Sequence, residues 1–122
     1  MTNNKKMIHL AIDEAHKSRH KDFKHGAVLV KGKKIISTGY NQPSCNTHMY
    51  KSVHAEMQTI INAKKTKQAI DKYCVLYVVR VTNSGMLALS KPCDHCMSLI
   101  KKNNIRNIIF SNDSNYLQRM CL

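Results

Sequence analysis

Three segments of the chain carry apolar residues at helical spacing. The first follows the capping candidates Thr2 to Asn4 and repeats the i, i+1, i+4, i+5, i+8 pattern of one helical face. Its apolar positions are Met7, Ile8, Ala11, Ile12 and Ala15. The second segment carries Val53, Met57, Ile60 and Ile61, and the third, opened by Pro92, carries Met97, Leu99 and Ile100. This spacing predicts three helices.

Runs of β-branched and other apolar residues lie between these segments. Residues 27–30 and 35–38 flank a glycine-bearing turn and predict a β-hairpin, whereas the polar stretch 41–52 predicts a loop. Residues 75–81 and 108–110 predict two further strands. A helix separates those two strands, so we expect them to pair in parallel. The predicted order is α-β-β-α-β-α-β, an α/β fold with a mixed sheet. The residues after Ser111 leave room for a short, irregular extra strand at most, which gives four to five strands.

The length of 122 residues predicts a single domain that spans residues 1–122. The longest apolar run, residues 74–79, is far shorter than the roughly 20 residues that span a bilayer, so the sequence excludes a membrane-spanning helix. No apolar signal segment follows the first residues, which argues against secretion. The five cysteines are odd in number, and two form a C-x-x-C pair. In an unsecreted chain this indicates metal or redox chemistry in a reducing intracellular compartment, the cytoplasm or the nucleus.

The chain is strongly basic, with 20 Lys and Arg residues against 7 Asp and Glu residues and a net charge of +13. Such a balance attracts phosphate-bearing partners, including single-stranded nucleic acid, and makes their binding salt-dependent. AT-rich coding would also enrich lysine without selection for binding. It would tolerate glutamate as well, yet the chain has only Glu14 and Glu56. The sequence leaves both explanations open.

Candidate chemistry is concentrated in two short motifs, H-A-E at residues 54–56 and P-C-D-H-C at residues 92–96. Either motif alone is weak, since a C-x-x-C pair could also be a redox pair or half of a zinc knuckle. Each lies at the predicted start of a helix, so the two can converge on one zinc ion held by His54, Cys93 and Cys96. Three protein ligands are typical of a catalytic zinc with a fourth position for water, and the N-terminus of a helix favours the thiolates. Glu56 is then placed to accept a proton from the activated water and deliver it to the substrate.

H-x-E followed by P-C-x-x-C resembles the signature of the zinc-dependent cytidine and deoxycytidylate deaminase superfamily. Residues 26–30, 37–41, 76–79 and 108–110 are similar to the hairpin, substrate loop and later strands of that fold. The helical crossover matches the branch shared with tRNA adenosine deaminases and nucleic-acid-editing cytosine deaminases. The resemblance implies a three-layer α-β-α cytidine deaminase-like fold with one Zn²⁺ per chain.

The resemblance also implies roles for individual residues. His54, Cys93 and Cys96 would be the zinc ligands, and Glu56 would be the catalytic proton carrier. Ala55 would donate a backbone hydrogen bond to the base, and Asn41 would contact the sugar, although Asn41 could also simply turn the chain after Gly39. His25 either lies beside the base or ends a basic loop. Cys45 and His48 are either half of a second metal site or unrelated loop residues.

The chain departs in three places from members of the family that it resembles, and these places bear on substrate choice. Gln58 and Thr59 follow Met57 where deoxycytidylate-like relatives often have H-A-E-x-N-A, and residues 83–89 resemble an insertion. Past Ser111 the terminal helix of several relatives has no counterpart.

We therefore expect a hydrolytic deaminase of a nucleobase amine, with cytosine in a nucleotide or nucleoside as the substrate. One alternative is a nucleic-acid-editing deaminase acting on cytosine or adenine in single strands. The other is a basic, zinc-stabilised binding or partner subunit without catalysis, but a structural site has no use for Glu56. Exposed sheet edges and the habit of the family predict a homo-oligomer.

Overall fold

The computed structural model describes residues 4–19, 24–43, 52–112 and 117–122, which form three helices and eight strands. The helices are α1 (Asn4–Ala15), α2 (Ala55–Lys65) and α3 (Asp94–Lys102). The strands are β1 (Lys24–Lys31), β2 (Lys34–Tyr40), β3 (Gln42–Pro43), β4 (Ser52–Val53), β5 (Cys74–Val81), β6 (Leu87–Ala88), β7 (Asn107–Ser111) and β8 (Leu117–Cys121). Among the described residues, no helix has the length and apolarity needed to cross a membrane.

The main sheet has the strand order β2-β1-β5-β7-β8, and the short β6 pairs with β5. All of its pairings are antiparallel except the pairing of β5 with β7, which is parallel, as the helical crossover between them predicts. The predicted hairpin is confirmed, because β1 and β2 pair from Gly26 with Tyr40 to Lys31 with Lys34. Gly32 lies in the turn with a φ of 62°, a conformation that glycine adopts without strain.

The sheet separates two apolar layers, and alternation along β1 shows how. Ala27 and Leu29 face the layer that contains α2 and α3, whereas Val28 and Val30 face α1. The first layer is completed by α2, α3 and alternate residues of β5 and β7. The second is completed by the apolar face of α1 and the remaining residues of those two strands. The molecule is therefore an α-β-α sandwich with both sheet faces covered.

Two glycines let the helices pack directly on the sheet. A Cβ atom at Gly26 would collide with backbone atoms of Ala11 and Ala15 in α1. A Cβ atom at Gly39 would lie 2.5 Å from Thr59 Oγ1 and 2.7 Å from Thr59 N in α2. Since Thr59 belongs to the second turn of α2, the absence of a side chain at Gly39 determines where that helix begins relative to the sheet.

The sheet has more strands than the four to five we predicted. Strand β8 is a regular five-residue strand along β7, although we expected the chain after Ser111 to add a short, irregular one. Strand β6 adds two residues, and it falls in the stretch 83–89 that resembles an insertion. The predicted loop after Asn41 contains the short antiparallel pair β3 and β4. Four of the five β8 residues are exposed, three of them consecutively, so the strand has no alternation of buried and exposed positions that its sequence could display.

Candidate active site

The N-termini of α2 and α3 meet on the same face of the sheet. His54 precedes α2 with extended dihedral angles of −70° and 151°, and Cys93 precedes α3 with −69° and 168°. Neither side chain caps its helix. Both residues are therefore free to direct their donor atoms into the space between the two helix starts.

His54, Cys93 and Cys96 form a compact group of donor atoms. His54 Nδ1 lies 3.1 Å from Cys96 Sγ and 3.7 Å from Cys93 Sγ, and all three donor atoms lie within 4.8 Å of one another. Two donors on one tetrahedral zinc ion, at Zn–N and Zn–S bond lengths of about 2.0 and 2.3 Å, are separated by about 3.5–3.8 Å. The observed spacing thus fits a zinc ion with little rearrangement. The structure brings together all three predicted ligands.

The group is buried on one side and open on the other. Cys96 is buried, His54 is half-buried, and Cys93 is exposed. Among the residues that the structure describes, no further His, Cys, Asp or Glu donor completes the group. Three protein donors with one accessible side are typical of a catalytic zinc rather than a structural one.

Burial raises the pKa of the Cys96 thiol, and negative charge on Glu56 and Cys93 raises it further. We predicted instead that the helix N-terminus would lower thiol pKa values here. For Cys96 the loss of hydration in the buried position opposes that effect of the helix N-terminus. A thiolate at this place therefore needs a cation in contact with it, which is the condition that a bound zinc ion would meet.

Glu56 lies in the first turn of α2, two residues after His54, and its side chain is only 3% exposed. Within the described part of the chain its Oε1 atom has no hydrogen-bond partner. Desolvation raises the pKa of this carboxyl to about 7, against a smaller opposing effect of a backbone hydrogen bond. Glu56 is outside the donor group of the three ligands. A buried carboxyl beside a metal-binding group, with one oxygen unsatisfied, has no evident structural purpose.

The structure gives Asn41 a definite structural contact. Its Oδ1 accepts a hydrogen bond of 2.8 Å from the backbone N–H of His25, and its own N–H donates to the carbonyl of His25. These two bonds fasten the start of β1 to the end of β2. His25 is half-buried and pairs with Arg80 of β5. Alternation along β1 places His25 on the face covered by α2 and α3.

A pair of buried serines holds the segment that leads into Cys93, and nothing in our sequence analysis identified it. Ser90 Oγ donates to the carbonyl of Val78 at 2.8 Å and accepts from Ser111 N at 2.9 Å. Ser111 Oγ donates to the carbonyl of Ala88 at 2.6 Å. These bonds tie the chain to β5 and β7 three residues before Cys93. Two small hydroxyl residues far apart in sequence give no pattern that could have revealed the contact.

The other described cysteines and histidine that we singled out are not part of the cluster. His95 is exposed on α3 between the two cysteines. Cys74 is buried in β5 and Cys121 is exposed on β8, both with free thiols. Cys45 and His48 lie outside the described residues, so the prediction of a second metal site stays a prediction.

Comparison with known proteins agrees with this geometry. Residues 1–112 match a family described as the cytidine and deoxycytidylate deaminase zinc-binding region. No curated protein matches the chain in sequence. Among solved structures, cytidine deaminase from Burkholderia pseudomallei is 20% identical with a TM-score of 0.76, over 99% of this chain and 93% of that one.

Two further solved structures have the same fold. The dCMP deaminase from the cyanophage S-TIM5 is 20% identical with a TM-score of 0.75, over 94% of this chain and 88% of that one. The guanine deaminase from Bacillus subtilis is 23% identical with a TM-score of 0.66, over 92% of this chain and 66% of that one. These likenesses confirm the predicted α/β fold. The match over residues 1–112 shows that the chain belongs to the cytidine and deoxycytidylate deaminase family.

Proposed function

We propose that the protein is a zinc-dependent hydrolytic deaminase that converts cytosine to uracil in a nucleotide or nucleoside. The observation that carries the proposal is the convergence of His54, Cys93 and Cys96 beside the buried, unsatisfied carboxyl of Glu56. Two similar structures support cytosine as the base. One is the cytidine deaminase from Burkholderia pseudomallei, and the other is the cyanophage dCMP deaminase, which is also known in complex with dCMP and dUMP.

His54, Cys93 and Cys96 would hold the zinc ion. When bound, zinc supplies a Lewis acid that lowers the pKa of water toward neutrality. In the net reaction one water adds to the base and one ammonia leaves. Glu56 accepts a proton from the attacking water and delivers it to the substrate. Its position in the first turn of α2 keeps the carboxyl next to the ligands without using it as one.

Residues at the helix start and the strand ends would position the substrate. The N–H of Ala55 is one of the first amides of α2, which have no acceptor within the helix, so it is available to donate to the base. Asn41 and His25 lie at neighbouring ends of β2 and β1, where Asn41 would contact the sugar. The contact between Asn41 and the His25 backbone would hold both residues in place for this task.

A substrate panel tests the proposal. Zinc-loaded protein is incubated with the nucleosides and nucleotides of cytosine, adenine and guanine and with single-stranded oligonucleotides, and each product is measured by mass. We expect a gain of about one mass unit only for a cytosine nucleotide or nucleoside, since replacing an amino group by oxygen produces that change. Turnover of guanine or adenine alone would contradict the choice of base. No turnover of any compound by protein that retains zinc would favour the non-catalytic partner subunit.

A further inference from the structure

The topology gathers exposed positive charge at the end of the molecule opposite the candidate active site. Helices α2 and α3 both begin at the site and run away from it, so their C-terminal turns lie at the far end. The hairpin turn between β1 and β2 lies there too, because Lys31 pairs with Lys34 and with Cys74, the first residue of β5. The start of β7 joins them, since Asn107 pairs with Val75.

We call this surface the basic end. It comprises ten exposed residues: Lys31, Lys33, Lys34, Lys64, Lys65, Lys67, Lys72, Lys101, Lys102 and Arg106. One described acidic residue, Asp71, also lies at this end and forms an ion pair of 2.5 Å with Lys31. The other acidic residues that the structure describes lie toward the site: Asp13, Glu14, Glu56 and Asp94. The molecule therefore has a strongly asymmetric distribution of charge.

Interactions with helix C-termini explain only part of the basic end. Lys64 and Lys65 are in the last turn of α2, and Lys101 and Lys102 are in the last turn of α3, where cations stabilise the exposed carbonyls. The remaining basic residues lie in the hairpin turn, in the connection before β5 and before β7. Asp71 offsets the charge of Lys31. Among the described residues no ion pair offsets the charge of the others, whereas a polyanion in contact with the surface would reduce their mutual repulsion.

Two features of the basic end suit an unpaired nucleic-acid strand. Tyr73 is 67% exposed, and Lys72 Nζ lies 5.3 Å from the centre of its ring. An exposed ring flanked by a cation is a platform on which a base can stack. Nearby, an open cavity of about 310 Å³ is lined by Lys101, Ile105, Arg106 and Leu122. It offers two cations beside an apolar floor.

We propose that the basic end binds single-stranded nucleic acid, with its lysines and Arg106 on the phosphates and Tyr73 stacked on a base. This docking surface is separate from the active site, because the two lie at opposite ends of the strands. A strand held there is therefore a partner of the enzyme rather than its substrate. The proposal does not depend on which base the active site deaminates.

Binding is tested with fluorescein-labelled dT20, which contains no cytosine or adenine to deaminate. We expect anisotropy to report binding whose affinity falls steeply between 50 and 200 mM salt, because counterions are released from the phosphates. Unlabelled dT20 should leave the deamination of the small substrate unchanged. Loss of deamination in parallel with dT20 occupancy would place the strand in the active site and overturn the proposal.

Two triple variants locate the surface. Lys33→Gln, Lys34→Gln, Lys72→Gln removes charge around the hairpin turn, and Lys101→Gln, Lys102→Gln, Arg106→Gln removes it beside the cavity. Each should weaken dT20 binding at least about tenfold at 100 mM salt. Each should also reduce the slope of the logarithm of the binding constant against the logarithm of the salt concentration by about two, because each lost phosphate contact of a single strand contributes roughly 0.7. The matched control removes three exposed charges near the other end of the molecule: Lys17→Gln, Arg19→Gln, Lys91→Gln. Equal loss in the control would show attraction to net charge alone and would overturn the basic end as the site.

Tyr73 separates single strands from other polyanions. Tyr73→Ala should weaken dT20 binding about fivefold or more and leave binding of a 20-base-pair duplex unchanged, whereas Tyr73→Phe should keep both. An equal effect on the duplex would contradict stacking on an unpaired base. Absence of dT20 binding at 50 mM salt would overturn the proposal, including the case in which phosphatidylserine vesicles bind instead.

Discussion

The two ends of the molecule hold their polar groups in opposite ways. At the end with the candidate active site, a few groups with proposed chemical roles are packed out of water, with Glu56 and Cys96 both buried. At the basic end, ten charged side chains stand in solvent, and the ion pair of Lys31 with Asp71 is the one that the structure shows there. Water and salt screen the exposed charges of the basic end strongly and the buried groups of the site weakly. Single substitutions should therefore have large effects at one end, whereas effects at the other should be small and collective.

The largest effect is expected at a zinc ligand. Cys93→Ala should lose the metal and most of the thermal stability, and deamination should fall by at least about 10⁴-fold because unassisted water is a poor nucleophile at neutral pH. Metal content by mass spectrometry and the melting temperature measure this. Cys121→Ser, which changes an exposed thiol outside the site, is the matched control and should change neither. Stoichiometric zinc in Cys93→Ala would show that Cys93 is not a ligand.

The next largest effect is expected at Glu56. Glu56→Gln preserves the shape of the side chain but cannot carry a proton, so kcat/KM should fall by about 10²–10⁴-fold. Zinc content and melting temperature should stay at the values of the parent protein. Activity within tenfold of the parent would refute the role of proton carrier. Loss of zinc together with activity would make Glu56 a ligand or a structural group instead.

A smaller effect is expected at the glycines on which the helices pack, and it tests whether the position of α2 controls the zinc ligands. Gly39→Ala forces a Cβ atom against Thr59 in α2, and Gly26→Ala forces one against Ala11 and Ala15 in α1. Each should lower the free energy of unfolding by about 1–3 kcal/mol through overpacking. Only Gly39→Ala displaces the helix that begins at the site, so it alone should weaken zinc binding, by about tenfold, in competition with a chelating dye. Equal zinc affinities in the two variants would show that the position of α2 does not control the ligands.

Local patterns predicted the parts of the site that depend on helix starts. His54, Cys93 and Cys96 could be joined because each motif lies where apolar periodicity predicts a helix to begin, and the structure places them within contact distance. The parallel pairing of β5 with β7 followed from the helix between them. Both features follow from where the helices begin and end. The spacing of apolar residues a few positions apart shows those limits directly in the sequence.

Other features depend on what surrounds a residue, and the sequence does not show that. The burial that raises the pKa of Cys96 is a property of the packed site, which no local pattern displays. The contact of Ser90 with Ser111 joins residues 21 positions apart that carry no apolar pattern. The basic end is the same case, since most of its lysines lie in three short runs far apart along the chain and only the topology brings the runs together.

The smallest effect is expected at Asp71, the acidic residue of the basic end. A hydrogen bond from Lys31 lowers the pKa of Asp71, with a smaller contribution from the backbone N–H of Tyr73. The ion pair therefore contributes stability above the unfolded pKa near 4, and this contribution is lost as the pH falls through the lower folded pKa. Asp71→Asn should be slightly less stable than the parent at pH 7, and chemical denaturation should show the difference vanishing once the pH is low enough to protonate Asp71 in the folded protein. The same change frees Lys31 and removes a negative charge, so dT20 should bind about two- to fivefold more tightly at low salt. An Asp71→Asn variant that binds dT20 more weakly would show that the strand does not contact this part of the surface. The two ends of the molecule would then differ in the burial of their polar groups, and the basic end would have no role in binding.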